Sequence, residues 1–216
     1  MIGKMKKTAN CQAIADLEQH LTDLKLCSRC PNMVGPVVTH TPVQTKVYLA
    51  GQAPGPREGQ FGKPFAWTAG VTLFKWFQRI GLSEDQVRSL TFIGAVARCF
   101  PGKTKQGGDR VPTPVEIAAC SDWMEREFEI LHPELVIPVG RVAIEQFMEP
   151  QPLVDVIGKK FRVGKFGQAF DLIALPHPSG ASTWFKREPG KELLEKSLKL
   201  IEQHPAWQEL IRQANK

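Results

Sequence analysis

Short apolar segments alternate with helical patterns along most of this chain of 216 residues. Four of these segments are apolar at nearly every position, which is typical of strands buried on both faces of a parallel sheet. Helical patterns between such strands indicate layers that cover the sheet on both sides. We therefore predict an α/β fold, a three-layer α/β/α domain with a central, mostly parallel four-stranded sheet. The predicted strands are 47–50, 91–97, 135–139 and 170–175.

Local signals place the helices between these strands. Ser83 with Gln86, and Thr113 with Glu116, have the spacing of capping boxes, in which a side chain and a backbone N–H satisfy each other. Asn10 can cap the first helix. The Gly-rich and Pro-rich segments 52–68 and 100–112 are predicted to be loops. Helices are predicted over 11–25, 69–80, 113–131, 188–203 and 205–213, with a further one ending near 147.

Composition and charge narrow the class of protein. Hydrophobic residues at 42% and charged residues at 23% fit a soluble globular chain, and we expect one domain over 1–216. No segment approaches the roughly 18 apolar residues of a membrane helix, and no apolar stretch follows the basic N-terminus as in a signal peptide. We therefore expect a cytoplasmic protein without a membrane partner. The net charge of +6 favours polyanionic partners, although solvated surface loops explain the basic residues equally well.

Four of the five cysteines form a pattern of their own. Cys27 and Cys30 are separated by two residues, whereas Cys99 and Cys120 stand alone further along the chain. In a reducing compartment, clustered cysteines bind metal more often than they form disulfides. Four thiolates suit either tetrahedral zinc or a four-iron cluster, and unligated core cysteines are the remaining alternative. Cys11 lies on the first helix, where we expect a packed thiol.

Polar and glycine residues follow the ends of the predicted strands. Gly51, Cys99, Gly140 and His177 each come just after an apolar segment. In open parallel sheets, ligands bind beyond the carboxyl ends of the strands. We therefore expect the Gly51 loop and the His177 loop to meet at one edge of the sheet.

These motifs together resemble one known family. The segment 51–65, GQAPGPREGQFGKPF, with the following Ala69-Gly70, is similar to the motif GEAPG-x2-E-x3-G-x-PF-x3-AG. The segments 96–101 and 112–120 resemble the region of that family's third and fourth cysteines, 135–143 resembles its next strand and turn, and His177-Pro178-Ser179 resembles its second catalytic motif. The ordered set covers about 20–203 and resembles the uracil-DNA glycosylase superfamily, most closely its iron–sulfur branch, family 4.

The resemblance implies an activity and a cofactor. It implies a DNA repair enzyme that flips uracil out of DNA and hydrolyses its N-glycosidic bond in base excision repair. No Schiff-base lysine is evident in the matched motifs, so we expect a monofunctional enzyme. The expected partner is DNA containing uracil or another deaminated base, and the expected state is a nucleoid-associated monomer with 204–216 as a C-terminal helix. A structural [4Fe-4S] cluster is implied on Cys27, Cys30, Cys99 and Cys120.

The resemblance also implies roles for individual residues. Phe65 would stack on the flipped base, and Glu58 would orient the attacking water or offset positive charge on the sugar. His177 would donate a hydrogen bond to the base as negative charge develops on it. A core phenylalanine, an exposed loop carboxylate and a structural histidine are the respective alternatives. The positions expected to contact the base are Gln52, Ala53, Gly55, Phe65, Ala95 and Ser179.

A further set of residues is expected to contact the DNA backbone and groove. In this superfamily the loop after the second catalytic motif enters the minor groove, where an apolar wedge fills the gap left by the flipped base. Trp184 or Phe185 would be that wedge here, and a hydrophobic lid on the core is the alternative. The residues expected to contact DNA are Lys103, Arg110, Trp184, Lys186 and Arg187.

Three positions depart from the family pattern. Gln52 replaces a glutamate, and the loop 100–112 is longer than expected. Ala95 stands where we expect an asparagine that reads the uracil edge, and losing a buried polar contact weakens discrimination. Two alternatives therefore stay open: the same fold acting on another deaminated base such as hypoxanthine, or a catalytically silent nucleic-acid-binding member. Because no histidine lies between His40 and His132, we do not expect the DNA crosslinking chemistry of some relatives.

Overall fold

A computed structural model describes residues 2–180 and 182–216. Within these residues one sheet carries five strands in the order β2-β1-β3-β5-β4. The first four in this order are mutually parallel, and β4 is antiparallel to β5. The strands are β1 (Val47–Gly51), β2 (Phe92–Ala95), β3 (Leu135–Pro138), β4 (Lys160–Lys165) and β5 (Gln168–Ile173).

Helices connect the strands and cover both faces of the sheet. A short 3-10 helix, Trp184–Lys186, precedes the two C-terminal helices. The α-helices in the described residues are α1 (Ile2–Lys25), α2 (Glu58–Phe61), α3 (Thr68–Gln78), α4 (Glu84–Leu90), α5 (Pro114–Leu131), α6 (Arg141–Ile144), α7 (Leu153–Val156), α8 (Gly190–Gln203) and α9 (Pro205–Ala214). No helix in the described part of the chain is long and apolar enough to cross a membrane.

Alternate residues of the buried strands enter two separate cores. Val47 and Leu49 of β1 face a core formed with α3, α4, α8 and α9. Tyr48 and Ala50 of the same strand face a second core, formed with α1, α5, α6 and α7. This division of side chains follows from the two-residue period of a strand. The predicted three-layer α/β/α architecture with a mostly parallel sheet is therefore confirmed.

The predicted count of four strands is wrong, because β4 is a fifth. Its residues alternate between exposed and half-buried positions, so it lacks the continuous apolar run of the other strands. For this reason the lysine-rich sequence of 159–165 predicts a solvated loop and not a strand. Phe166 and Gly167, both with positive φ, form the two-residue turn that pairs β4 with β5.

Both predicted capping boxes are present. The Ser83 hydroxyl accepts from the Gln86 N–H at 3.3 Å, and the Gln86 side chain accepts from the Ser83 N–H at 2.9 Å. At the start of α5, Thr113 and Glu116 make the same reciprocal pair. These contacts satisfy N–H groups that a helix start otherwise leaves free.

Candidate active site

The ends of β1 and β2 hold the first candidate loop. Gly51 pairs with Ala95, and the pairing continues past the strands because the Val96 N–H donates to the Gly51 carbonyl at 2.9 Å. The Ala97 N–H then donates to the Gln52 carbonyl at 3.0 Å. The backbone of the Gly-rich loop is thus fixed to the segment that leads into Cys99.

A narrow cavity opens at these strand ends. Its volume is about 20 Å³, roughly the space of a single water molecule. It adjoins a larger cavity of about 250 Å³, and Val38 and Pro54 border both. The predicted residue Gly55 borders the larger cavity. The other predicted residues on the narrow cavity are Ala53, Glu58, Phe65 and Ala95, beside Gly51 and Arg98.

The Phe65 ring lies against the backbone of Gly51. A side chain at Gly51 would bring its Cβ within 3.0 Å of the Phe65 ring, so glycine is needed for this approach. Phe65 has a φ of 51°, a conformation that costs a non-glycine residue roughly 1–3 kcal/mol. Arg88 holds this conformation by donating to the carbonyls of Pro64 and Phe65, each at 2.9 Å. The backbone that carries the Phe65 ring is therefore held in place.

Glu58 is the first residue of α2, and its carboxylate is buried. An oxygen of this carboxylate accepts from the Gly55 N–H. Burial raises the pKa of Glu58, and the negative charge of Asp109 adds to this, whereas the N–H groups of Gly55, Phe65 and Ala66 oppose it. A carboxylate with raised proton affinity beside a cavity can orient and deprotonate a water molecule.

His177 follows β5, and its ring has a defined tautomer. The Ser179 N–H donates to Nδ1 of His177 at 3.3 Å, so the proton of the neutral ring is on Nε2. Burial lowers the pKa of His177, which keeps the ring neutral at neutral pH. Nε2 has no hydrogen-bond partner among residues 2–180 and 182–216. It is a free donor on a ring whose orientation Ser179 fixes.

Gly140 supports the His177 ring from the end of β3. It has a φ of 85°, and a Cβ there would lie 2.9 Å from Cδ2 of His177. Because β1, β3 and β5 are parallel, His177 and Gly51 lie at the same edge of the sheet. His177, Ser179 and the side chain of Gln52 nevertheless border neither of the two cavities.

A buried ionic network that no sequence motif predicted lies behind the narrow cavity. Arg98 is fully buried and contacts Glu127 at 2.6 Å and the Tyr48 hydroxyl at 3.4 Å. His20 lies 3.5 Å from the second oxygen of Glu127. Burial is the largest effect and opposes the charged form of Glu127, but Arg98, His20 and Tyr48 together outweigh it and lower the pKa of that carboxyl. One signal was available: Glu127 falls on the apolar stripe of α5, where an unpaired charge is not tolerated.

The four predicted cysteine ligands border one cavity of about 380 Å³. Burial raises the pKa of Cys30, and the negative charges of Cys120 and Cys27 add to this. The same causes, burial first, raise the pKa of Cys99 to about 11. Arg98 borders this cavity as well as the narrow one, and therefore separates them.

The arrangement of these thiols bears on what they can hold. In the described residues, no three Cys, His, Asp or Glu side chains converge closely enough to bind one metal ion. Zinc needs four ligands within about 2.3 Å of a single point, whereas each thiolate of a four-iron cluster binds a different iron. Four thiols around one cavity match the number of protein ligands that either group requires. Cys11 is exposed, so the prediction of a packed thiol there is wrong.

Several predicted DNA contacts are engaged within the protein. Arg110 forms a two-pronged ion pair with Glu116, the capping residue of α5, and holds the pKa of that carboxyl at about 2. Lys103 is exposed and lies 3.5 Å from Asp109. Trp184 packs against the core and contacts Gly190 closely.

The remaining residues of this segment divide between the core and the surface. Phe185 packs edge-on against Trp76, with the ring centroids 5.0 Å apart. Phe185 and Trp184 both pack partly against the core, as residues of a hydrophobic lid do, and the role of either residue as a wedge in DNA stays a prediction. Lys186 and Arg187 are exposed.

Comparison with known proteins bears on this site. The family model of the uracil DNA glycosylase superfamily matches residues 38–201. The Type-4 uracil-DNA glycosylase of Thermotoga maritima is 29% identical over 145 residues, which cover 66% of this chain and 67% of that protein. The Type-4 uracil-DNA glycosylase of Archaeoglobus fulgidus is 30% identical over 141 residues, which cover 63% of this chain and 66% of that protein. The Type-4 uracil-DNA glycosylase of Pyrobaculum aerophilum is 28% identical over 172 residues, which cover 76% of this chain and 83% of that protein.

The chain thus spans about two thirds of the length of the first two relatives. The match of the family model runs from the residues before β1 into α8, and so includes the whole sheet and both candidate loops. The chain therefore belongs to the uracil DNA glycosylase superfamily, and its predicted similarity to the type-4 branch is confirmed.

Proposed function

We propose that this chain is a monofunctional uracil-DNA glycosylase that hydrolyses the N-glycosidic bond of uracil in DNA. The observation that carries the proposal is the meeting of Glu58, Phe65 and Ala95 on one cavity at the ends of β1 and β2. The relatives named Type-4 uracil-DNA glycosylase support the same activity. A soluble monomer acting on DNA as a single domain is part of the proposal.

The uracil nucleotide must leave the base stack before it can react. We propose that the base enters the narrow cavity and stacks on the Phe65 ring, which Arg88 holds in place. Ala53 and Gly55 lie beside it and let the backbone approach closely. The present volume of about 20 Å³ means that the walls move apart when a base enters.

Two side chains then divide the chemistry. The Glu58 carboxylate orients a water molecule for attack on the sugar, and its raised pKa lets it take the proton of that water. Nε2 of His177 donates a hydrogen bond to the base oxygen on which negative charge develops. The positive charge on the sugar and the negative charge on the departing base are thus balanced without a covalent intermediate, in agreement with a monofunctional enzyme. Entry of DNA is expected to bring the His177 loop to the cavity.

The four cysteines are proposed to hold a [4Fe-4S] cluster. When bound, the cluster supplies iron–thiolate bonds that cross-link three parts of the chain. Cys27 and Cys30 follow α1, Cys99 follows β2, and Cys120 lies within α5. Because Cys99 is adjacent to Arg98 on the wall of the narrow cavity, fixing Cys99 in this way would also hold the wall of the proposed base site.

The relatives named Type-4 uracil-DNA glycosylase favour uracil over a purine as the substrate base. The narrow cavity does not discriminate between them, because its walls must move apart for either base. The buried, basic Glu58 and the defined tautomer of His177 favour an enzyme over a silent binding module. Ala95 leaves the uracil edge without a side-chain amide, so recognition there depends on backbone groups.

An excision assay tests the proposal. Labelled oligonucleotides that contain uracil, hypoxanthine or xanthine, single-stranded or paired, are incubated with the protein and treated with alkali to cleave abasic sites. We expect excision of uracil, a loss of about 100-fold or more in Glu58→Gln and His177→Ala, and no change in Glu149→Gln, an exposed control. Excision of purines only, or DNA binding without any excision, would refute the proposal.

A further inference from the structure

Two large aromatic side chains are exposed beside the candidate active site. Phe61 is 50% exposed and Trp67 is 43% exposed. Their rings are stacked, with the centroids 6.0 Å apart and an interplanar angle of 21°. The Arg57 guanidinium lies 4.4 Å from the centroid of the Trp67 ring. We call Arg57, Phe61 and Trp67 the aromatic platform.

The platform belongs to the same short segment as the proposed catalytic residues. Arg57 directly precedes Glu58, Phe61 ends α2, and Trp67 caps α3 two residues after Phe65. Glu58 and Phe65 point inward to the cavity, whereas the platform residues point to solvent. The platform is therefore the outer surface of the loop whose inner surface forms the candidate base site.

The charge around the platform is positive. Arg57 and the neighbouring Lys63 are exposed, and neither forms an ion pair within the part of the chain that the structure describes. The chain as a whole carries a net charge of +6. Flat aromatic rings beside basic groups that have no ion-pair partner are the combination that binds single-stranded nucleic acid, because bases stack on the rings and phosphates pair with the cations.

We propose that the aromatic platform binds an unpaired base of single-stranded DNA, next to the nucleotide that enters the catalytic cavity. The site of binding rests on the proposed function, but binding itself does not require catalysis. In a duplex both faces of each base are covered by its neighbours, so the platform rings cannot stack on them. The platform therefore favours single-stranded over double-stranded DNA.

Binding of DNA without uracil tests this proposal separately from catalysis. The affinity for an end-labelled, uracil-free oligonucleotide is measured by fluorescence anisotropy, single-stranded and as a duplex. We expect Trp67→Ala and Phe61→Ala to bind the single strand about fivefold to 100-fold more weakly, with a smaller change for the duplex. Trp67→Phe should retain most of the affinity, because it keeps a ring.

A matched control and a salt series separate stacking from charge. Val71 is 55% exposed one helical turn after Trp67 and has no ring, so Val71→Ala should bind like the unmodified protein. Arg57→Gln should lower the slope of affinity against salt concentration, whereas Trp67→Ala should leave that slope unchanged.

Three outcomes would overturn the proposal. Unchanged single-strand affinity in both alanine variants would exclude stacking on the platform. Equal losses for single strand and duplex would remove the preference for unpaired bases. A dimer that Trp67→Ala dissociates without loss of DNA affinity, seen by analytical ultracentrifugation, would assign the platform to a second copy of the chain. Because no uracil is present, absence of glycosylase activity leaves the measurement valid.

Discussion

The buried pair of Arg98 and Glu127 gives the sharpest test of how this fold is held together. Both side chains are almost completely inaccessible to water, and Glu127 also accepts from the Tyr48 hydroxyl. Replacing Arg98 with methionine keeps much of the side-chain volume but removes the positive charge. Glu127 is then left as an uncompensated charge in the interior, with His20 as the remaining basic group within 4 Å in the described residues.

The size of the effect follows from this burial. Removing one partner of a buried ion pair costs about 3–5 kcal/mol, because the other charge cannot regain its hydration. For a chain of 150–250 residues, 1 kcal/mol lowers the midpoint of thermal unfolding by about 2–4 °C. The Arg98→Met variant should therefore unfold roughly 6–20 °C below the unmodified protein. This loss is large against the 5–15 kcal/mol that typically stabilises a domain.

Thermal unfolding followed by circular dichroism at one fixed heating rate measures the loss. In the double variant Arg98→Met, Glu127→Leu the stranded charge is gone, so most of the lost stability should return. Arg126→Met is the matched control, because Arg126 pairs with Glu129 at 2.8 Å with both side chains about half exposed; it should cost under about 1 kcal/mol. If the double variant loses as much as the two single variants combined, the charge-pair argument is wrong.

Four further predictions concern the candidate site. Gly140→Ala should displace the His177 ring and slow uracil excision about tenfold to 100-fold. Gly167→Ala is the control, because Gly167 has a similar φ but a Cβ there would meet nothing within 4 Å, so excision should be unchanged. The excision kinetics of both variants test this. Burial raises the pKa of Glu58 above its ordinary value of about 4.5. The folded protein therefore loses stability as pH rises from the ordinary pKa to the raised pKa, because the unfolded chain releases the proton first. The unfolding midpoint of Glu58→Gln, measured against that of the unmodified protein, should therefore be higher at neutral pH than at weakly acid pH, although the variant slows excision. The same difference in midpoint at weakly acid and at neutral pH would contradict this. Cys120→Ser should lower the bound iron and the visible absorption of the purified protein, measured by iron analysis and spectroscopy. Arg88→Met should release the Phe65 backbone and raise the KM for uracil-containing DNA more than it lowers kcat.

Much of the fold could be predicted because local and long-range signals agree. The apolar strands, the capping boxes and the stop after β1 at Gly51 each follow from side-chain chemistry within a few residues. β4 could not be predicted in this way. Its lysine and arginine side chains fit a solvated loop, and only pairing with β5 makes the segment a strand.

The candidate site could be predicted in part. The motif residues Glu58 and Phe65 do share a cavity, and the four cysteines border another. The pairing of Arg98 with Glu127 joins two residues 29 positions apart, and the sequence marks only Glu127, by its place on the apolar stripe of α5, and not its partner. The DNA contact predicted for Arg110 stays a prediction, but its ion pair with Glu116 has no counterpart in the sequence analysis. Which charges find partners is decided by the tertiary structure, and spacing alone does not reveal it.

The antiparallel strand β4 also affects how copies of this chain behave in concentrated solution. The open edge of a sheet presents unpaired backbone groups that can join the edge of another molecule and begin aggregation. Here that edge carries Lys160, Arg162 and Lys165, with Asp171 of β5 as a nearby counter-charge for the first two. Each edge therefore carries an excess of positive charge, three basic groups against one carboxylate, so two such edges repel each other. The edge that would otherwise favour association between two sheets thus disfavours it, and β5 stays covered behind β4.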